Sequence, residues 1–422
     1  MKISTPLLLA SLPVSLALAA PSAPQDVWTQ QELETVTAEI QKDVESIRGQ
    51  EFQRPVNVKI TDKAGFLGYA KKRMDEMSRP NQMSIEGDIG KLLGLLPAEM
   101  DLEKAVFDLL EGQVGGFYDP ASDTFYLMES FTGGVAKVIL AHELTHALDD
   151  QLYGLDDDFE RLKNDRDASA AYQAVVEGSG TAAMSSWMMA HAGELTQEEL
   201  MEAATMGTDE LAEAPEMLWK PLLASYTQGQ SFLNYGYKQW KKEGKTMTDV
   251  IAAAFAQPPT STEQILHPKK YWDADAKDAP KPVTITTPAR EGWDVLDRGT
   301  LGELNVALFT AEPKEIDFKN PMSMLSIRYT NKAAEGWGGD ALELRGKGDA
   351  RWLVLETVWD TADDAAEFTA ALAARTARWT AAVDAMSAAT DDSGIEVRVD
   401  PSDPLRVNVY AWSGANRDQL GL

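Results

Sequence analysis

The sequence reads as an α+β protein, predominantly helical over its first two thirds with a small β-hairpin, followed by a smaller α+β domain at the C-terminus. Three observations predict this. Apolar residues recur at helical spacing over most of residues 26–240, and an aromatic-rich alternating stretch at 113–128 interrupts them. Beyond a stretch rich in Ala, Asp, Lys and Pro at 273–282, the pattern changes to short strands around one long helix. The 422 residues, 44% hydrophobic and 25% charged, are enough for two domains with a substantial core.

The N-terminus comes first. Lys2 supplies a minimal positive region, residues 7–18 an apolar stretch interrupted by Pro13, and Ala17-Leu18-Ala19 a small-residue cleavage pattern. Residues 1–19 are therefore expected to be an export signal, placing the mature protein in the periplasm or outside the cell with no stable membrane anchor. With no cysteine, no disulfide can staple the exported fold, so stability must come from packing and bound metal. A formal net charge of −28 argues against nucleic acid or an anionic membrane as partner, since both repel an acidic surface.

Residues 26–47 form an amphipathic helix with Leu33, Val36, Ile40 and Val44 on one stripe. Residues 55–60 alternate as a strand, and helices follow over 63–77, 85–96 and 101–110, the last two divided at Pro97. Residues 113–128 read as a hairpin of two strands joined at Asp119-Pro120. Its glycines, Gly115 and Gly116, either let a peptide backbone approach or accommodate a bulge. On the first reading Gly116, Phe117 and Tyr118 are candidate substrate-binding residues, pairing with an extended peptide along the strand edge.

The next helix carries the chemistry. A glycine pair, Gly133-Gly134, opens an apolar run that continues at helical spacing through Leu148 and contains His142-Glu143-Leu144-Thr145-His146. Residues i and i+4 are neighbours on a helix, so both imidazoles face one metal ion, with Glu143 positioned as a general base. One catalytic Zn²⁺ is the expected cofactor. Such an ion takes three protein ligands and keeps a fourth position for water, so a further ligand must come from elsewhere. Asp156-Asp157-Asp158 reads as an acidic loop, lacking the alternating ligands of a calcium loop.

Residues 165–189 give a second long helix. On it Glu177 sits among Ala174, Val175, Val176, Gly178 and Gly180, where a lone carboxylate would be costly to bury and a metal ion would offset that cost. His191 would lie about 21 Å from Glu177 on a continuous helix and is read as a helix-end residue. Residues 196–211 form a charged helix, 221–240 an aromatic-rich segment, and 256–268 a proline-rich loop leading to a short helix. The catalytic oxyanion needs a donor, for which His267, Tyr226 and Tyr271 are candidates, and Asp149 or Asp150 are candidates to orient the imidazoles. After the boundary, strands are expected at 342–345, 352–358, 395–399 and 405–412, with a helix over 363–386. The expected domains are residues 20–275 and 285–422.

His142 to Ala147 resembles the active-site helix of thermolysin-like peptidases, and with a glutamate downstream the arrangement is similar to the gluzincin class of zinc metallopeptidases. The resemblance implies a zincin-like fold, His142, His146 and Glu177 as zinc ligands, Glu143 as base, and a peptide or protein substrate. The spacing from His146 to Glu177 is longer than in thermolysin. A nearer resemblance is to a poorly characterised group of exported bacterial proteins that share Gly116-Phe117-Tyr118-Asp119-Pro120, Val176-Glu177-Gly178, the stretch Ser261-Thr262-Glu263-Gln264-Ile265-Leu266-His267-Pro268, and Gly336-Trp337-Gly338-Gly339-Asp340. That group brings no established substrate. The alternative expectation is a non-catalytic zinc-binding or interaction protein of the bacterial envelope that keeps a peptidase scaffold.

Overall fold

Two small sheets, each with its own helices, build the protein in a computed structural model that describes residues 14–16, 27–77, 79, 81–119, 122–197, 199, 208–386 and 392–422. The fold is α+β, as the sequence predicts. Apart from Val14–Leu16, the expected export signal lies outside the described residues.

The first sheet has the order β1-β3-β4-β2, from β1 (Val14–Leu16), β2 (Asn57–Thr61), β3 (Val114–Asp119) and β4 (Thr124–Met128). β3 and β4 form the expected antiparallel hairpin, Phe117 opposite Tyr126, while β2 adds in parallel to β4. Helices α1 (Gln30–Arg48), α2 (Lys63–Met77) and α4 (Leu102–Gln113) pack around this sheet, whereas α3 (Gln82–Leu92) turns Ile89 and Leu92 toward the core of the C-terminal sheet. The start of α1 is fixed by a Thr29–Glu32 capping box and its end by Gly49 in the left-handed conformation.

The central layer is α5 (Gly133–Tyr153) and α7 (Arg166–Ala190), with α6 (Leu155–Leu162) between them. α6 corrects one expectation. Asp156, Asp157 and Asp158 do not form a loop but sit in the first turn of this helix, where carboxylates complement the exposed N–H groups of the helix start. Only the last part of the expected 196–211 helix is described, as α8 (Thr208–Glu213); most of the rest lies outside the described residues. α9 (Glu216–Trp240) is the aromatic-rich segment, followed by α10 (Met247–Ala256), α11 (Thr262–Leu266) and α12 (Lys269–Trp272).

The C-terminal sheet is antiparallel throughout, in the order β5-β6-β7-β9-β8. Its strands are β5 (Asp294–Gly299), β6 (Trp337–Lys347), β7 (Ala350–Trp359), β8 (Ser393–Asp400) and β9 (Asp403–Ser413). α15 (Ala362–Asp384) packs on one face, and α13 (Gly302–Thr310), α14 (Pro321–Met324) and α16 (Arg417–Leu420) complete the region. The sequence reading named neither β5, which has only Val295 and Leu296 as apolar positions, nor α13, a helix of 9 residues that is too short and too uniformly apolar to show a helical period.

The two halves share a core. Leu92 and Leu93 join the cluster formed by Leu353, Leu355, Phe368 and Trp379, and the Trp379 indole donates to the Leu92 carbonyl at 2.7 Å. Beside this, Glu86 and Asp297 both pair with the buried Arg166 guanidinium at the start of α7. Asp340, from the Gly336-Trp337-Gly338-Gly339-Asp340 stretch, accepts from the N–H groups of Leu301 and Gly302 at 2.7 and 2.9 Å and from the Trp337 indole at 2.9 Å. It thereby ties β6 to the start of α13.

Burial pushes the Asp340 carboxyl from its ordinary 3.8 up to about 6, despite those three donors. Because the folded value lies above the unfolded one, the contribution of this group to stability is complete below about pH 4 and is lost as pH rises through about 6. The Asp340→Asn variant lacks this titration. In urea unfolding, the stability gap between wild type and variant is expected to be wider at pH 4 than at pH 7.5, by on the order of 3 kcal/mol at most. An equal gap at both pH values would contradict the assignment.

Candidate metal centre

α5 is apolar on almost every side, so it is buried along most of its length, and His142, Glu143 and His146 are 2%, 0% and 0% exposed. α7 crosses it. Glu177, 1% exposed, faces the two imidazoles from α7, with its Oε2 3.1 Å from His142 Nε2 and 3.4 Å from His146 Nε2. The two Nε2 atoms are 2.9 Å apart.

These distances test whether the trio fits a metal ion. Ligand atoms at zinc-like bond lengths on a tetrahedron lie about 3.4 Å from one another, close to the observed separations. Hydrogen bonding alone accounts for them poorly, since a neutral imidazole offers one donor in total and the two Nε2 atoms face each other as well as the same carboxylate oxygen. His142, His146 and Glu177 can therefore hold a metal ion. Burial would raise the Glu177 carboxyl, but the His146 charge and hydrogen bonds from both imidazoles outweigh it and bring it down to about 2.

The close crossing of helices depends on glycine. A Cβ on Gly180, one turn beyond Glu177, would stand 2.7 Å from His142 Cε1 and 2.9 Å from both His142 Nε2 and His146 Cε1. On the other side of α7, a Cβ on Gly178 would meet the Gly229 backbone at 2.4 Å, and one on Gly229 the Ala174 carbonyl oxygen at 1.9 Å. This second crossing brings α9 against α7. Tyr226, one turn before Gly229, consequently stacks on His142 with ring centroids 5.7 Å apart.

The other oxyanion candidates lie elsewhere. His267 pairs with Glu303 at 2.9 Å; burial opposes the charge on this imidazole, but Glu303 outweighs it and raises its pKa. The Tyr271 hydroxyl donates to the Gln257 carbonyl at 2.5 Å, and its ring packs on Phe232 and Trp272. Of the candidates to orient the imidazoles, Asp150 accepts from the Tyr118 hydroxyl and the Leu155 N–H. Asp149 bonds Arg48 at 2.7 Å and Ser179 at 2.6 Å, so it joins α1, α5 and α7 rather than either imidazole.

The side chains of the hairpin residues pack inward. Phe117 stacks between Tyr69 and Tyr126, Tyr118 is fully buried, and a Cβ on Gly116 would stand 2.8 Å from the Phe125 ring. Their side chains belong to the core, and only the β3 backbone can meet a ligand. Val14–Leu16 lines the outer edge of β3, with Val14 opposite Phe117 and Leu16 opposite Val114.

Two features had no sequence signal strong enough to single them out. Gln173, four residues before Glu177, donates to Glu177 Oε1 at 2.6 Å; its i,i+4 spacing is the one trace the sequence carries. A second carboxylate group, Glu263, Asp278 and Asp360, already holds a cation, the Lys270 ammonium at 2.5, 2.8 and 3.2 Å.

Residues 271–413 match a family model described as a domain of unknown function (DUF8575), which covers the C-terminal sheet and leaves the His142–His146–Glu177 site outside. No curated protein matches the chain. Among solved structures, a provisionally named hydrolase with a novel fold from Chloroflexus aurantiacus is 17% identical with a TM-score of 0.40, over 62% of this chain and 94% of its own. A likeness of that size carries no argument about activity.

Substituting Gly180 by alanine must displace the imidazoles. Divalent-metal affinity, read by competition with a chromophoric chelator, is expected to fall at least about tenfold in Gly180→Ala, as when the support of a metal ligand is lost. Gly193→Ala is the control, since a Cβ there meets nothing within 4 Å. Equal affinities for the two variants would remove Gly180 from the site.

Proposed function

We propose that this chain is an exported zinc metallopeptidase of gluzincin type with a zincin-like catalytic domain, cleaving peptide bonds in a peptide or protein substrate. One observation carries the reading: the ligand atoms of His142, His146 and Glu177 converge within 3.4 Å of one another in a buried wall that also contains Glu143. Two imidazoles and one carboxylate are a common donor set for catalytic zinc, whereas calcium and magnesium select oxygen ligands. When bound, zinc supplies Lewis-acid polarisation of a carbonyl and acidifies a water.

The residues of the chain do the rest. Glu143 takes a proton from the attacking water as its oxygen bonds to the carbonyl carbon, and passes that proton to the amine nitrogen as the C–N bond breaks. Tyr226, stacked on His142, is the oxyanion candidate that lies at the cluster, and we assign it the stabilising hydrogen bond. The substrate lies along β3. Val14–Leu16 pairs there antiparallel, and its removal with residues 1–19 would leave the edge to an extended peptide.

Near-complete burial of the cluster favours a second reading, a non-catalytic metal centre in an envelope interaction protein. A structural zinc site closes its fourth position with a protein ligand, however, and the cluster among the described residues brings three. That favours catalysis.

Purified mature protein with stoichiometric zinc is expected to cleave a mixed peptide library, and Glu143→Gln to abolish cleavage while retaining the metal. Cleavage by Glu143→Gln at the wild-type rate would sink the proposed base, and no cleavage by wild type with zinc bound would select the non-catalytic reading. Tyr226→Phe is expected to lower kcat by about 10²–10³ with little change in KM. An unchanged kcat would remove Tyr226 from the reaction.

A further inference from the structure

We propose that Gln173 is a positioning residue for the metal centre, fixing which oxygen of Glu177 faces the imidazoles. The proposal rests on the reading of His142, His146 and Glu177 as metal ligands, though not on peptidase activity. A carboxylate can present one oxygen or two to a cation, and it can rotate between these modes unless something holds it. Gln173 Nε2 donates to Glu177 Oε1 at 2.6 Å, while Oε2 lies 3.1 and 3.4 Å from the two imidazoles. The carboxylate is thus split between two duties. One oxygen is occupied by the amide, and the other is left for the ion.

The orientation of the amide follows from chemistry. A carboxylate oxygen only accepts, so the nitrogen of Gln173 must face it, and its Oε1 is turned away, with no hydrogen bond from another group of the protein. Gln173 borders a cavity of about 70 Å³ formed with Ala170, Ser225, Ile265 and Leu304. Leaving a buried amide oxygen unpaired is costly, and an apolar side chain of the same length would fill the space without that cost. The N–H group is what an apolar residue cannot supply. A glutamate would supply no donor when ionised and would set a second negative charge against Glu177.

The support is also rigid. Gln173 is only 5% exposed and stands one turn from Glu177 on α7. Between them, the Ala174 carbonyl lies against Gly229 so closely that no Cβ fits, which holds this turn of α7 against α9. The backbone that carries both partners cannot shift without separating those two helices. Hydrogen bonds to the ligands of a metal are typically worth about 10–100-fold in affinity.

The test uses full-length mature protein and Zn²⁺ in chelator competition, with Gln173→Met, which keeps length and apolar contact, and Gln173→Ala, which leaves space. Both are expected to bind Zn²⁺ about 10–100-fold more weakly than wild type, with metal-free melting temperatures close to wild type for at least the methionine variant. The visible spectrum of the Co²⁺-loaded protein should shift, because a rotated carboxylate changes the ligand field; a merely structural residue would not move it. Wild-type Zn²⁺ affinity and an unchanged Co²⁺ spectrum in both variants would overturn the role of Gln173 while leaving the metal site standing. Failure of wild type itself to bind Zn²⁺ would overturn both.

Discussion

The closeness with which α7 passes its two neighbours is the constraint from which the rest of the structure follows. On one side Gly180 lets α7 lie over the imidazoles of α5, and on the other Gly178 and Gly229 let α9 lie against α7. Helices carrying ordinary side chains at these points pack with axes about 8–10 Å apart; a methyl group at Gly178 or Gly229 would force α7 and α9 apart, and one at Gly180 would push the imidazoles aside. Glu177 reaches His142 and His146, and Tyr226 reaches His142, because neither crossing has anything in the way.

Charge completes what the glycines begin. Arg48, Asp149 and Ser179 join α1, α5 and α7 through buried polar contacts beside the site. Each of these groups is costly to bury alone, so the trio is stable only while all three helices are in place. The far end of α7 is held in the same way. Arg166 there meets Glu86 and Asp297, and Asp167 accepts from the N–H and hydroxyl of Thr262 at 3.0 and 2.5 Å. One helix therefore runs from the junction with the C-terminal sheet to the cluster of His142, His146 and Glu177.

Much of this was legible in the sequence where a short-range rule applies. The i,i+4 histidines, the apolar run around them, and the hairpin at 113–128 each declare themselves within a few residues. Glu177 was legible for a different reason, a carboxylate stranded among small apolar residues. What stayed hidden depends on partners distant along the chain. Nothing near Arg48 announces Asp149, and nothing near Asp340 announces the N–H groups of Leu301 and Gly302. Nothing near His267, a candidate oxyanion donor, announces its partner Glu303, which lies beyond the expected domain boundary. Nor does anything near Phe117 announce the Tyr69 ring that stacks on it.

The Lys270 ammonium, held among Glu263, Asp278 and Asp360, has a consequence for how this sequence can change over time. Neutralising Lys270 alone would leave three carboxylates facing one another with only Lys281, beside Asp360, to offset them, and neutralising the acids one by one would strand a half-buried cation. Four positions spread over almost a hundred residues thus behave as a single genetic unit. Drift through them must proceed by compensated exchanges, and the order in which those exchanges occur decides which descendant sequences can be reached.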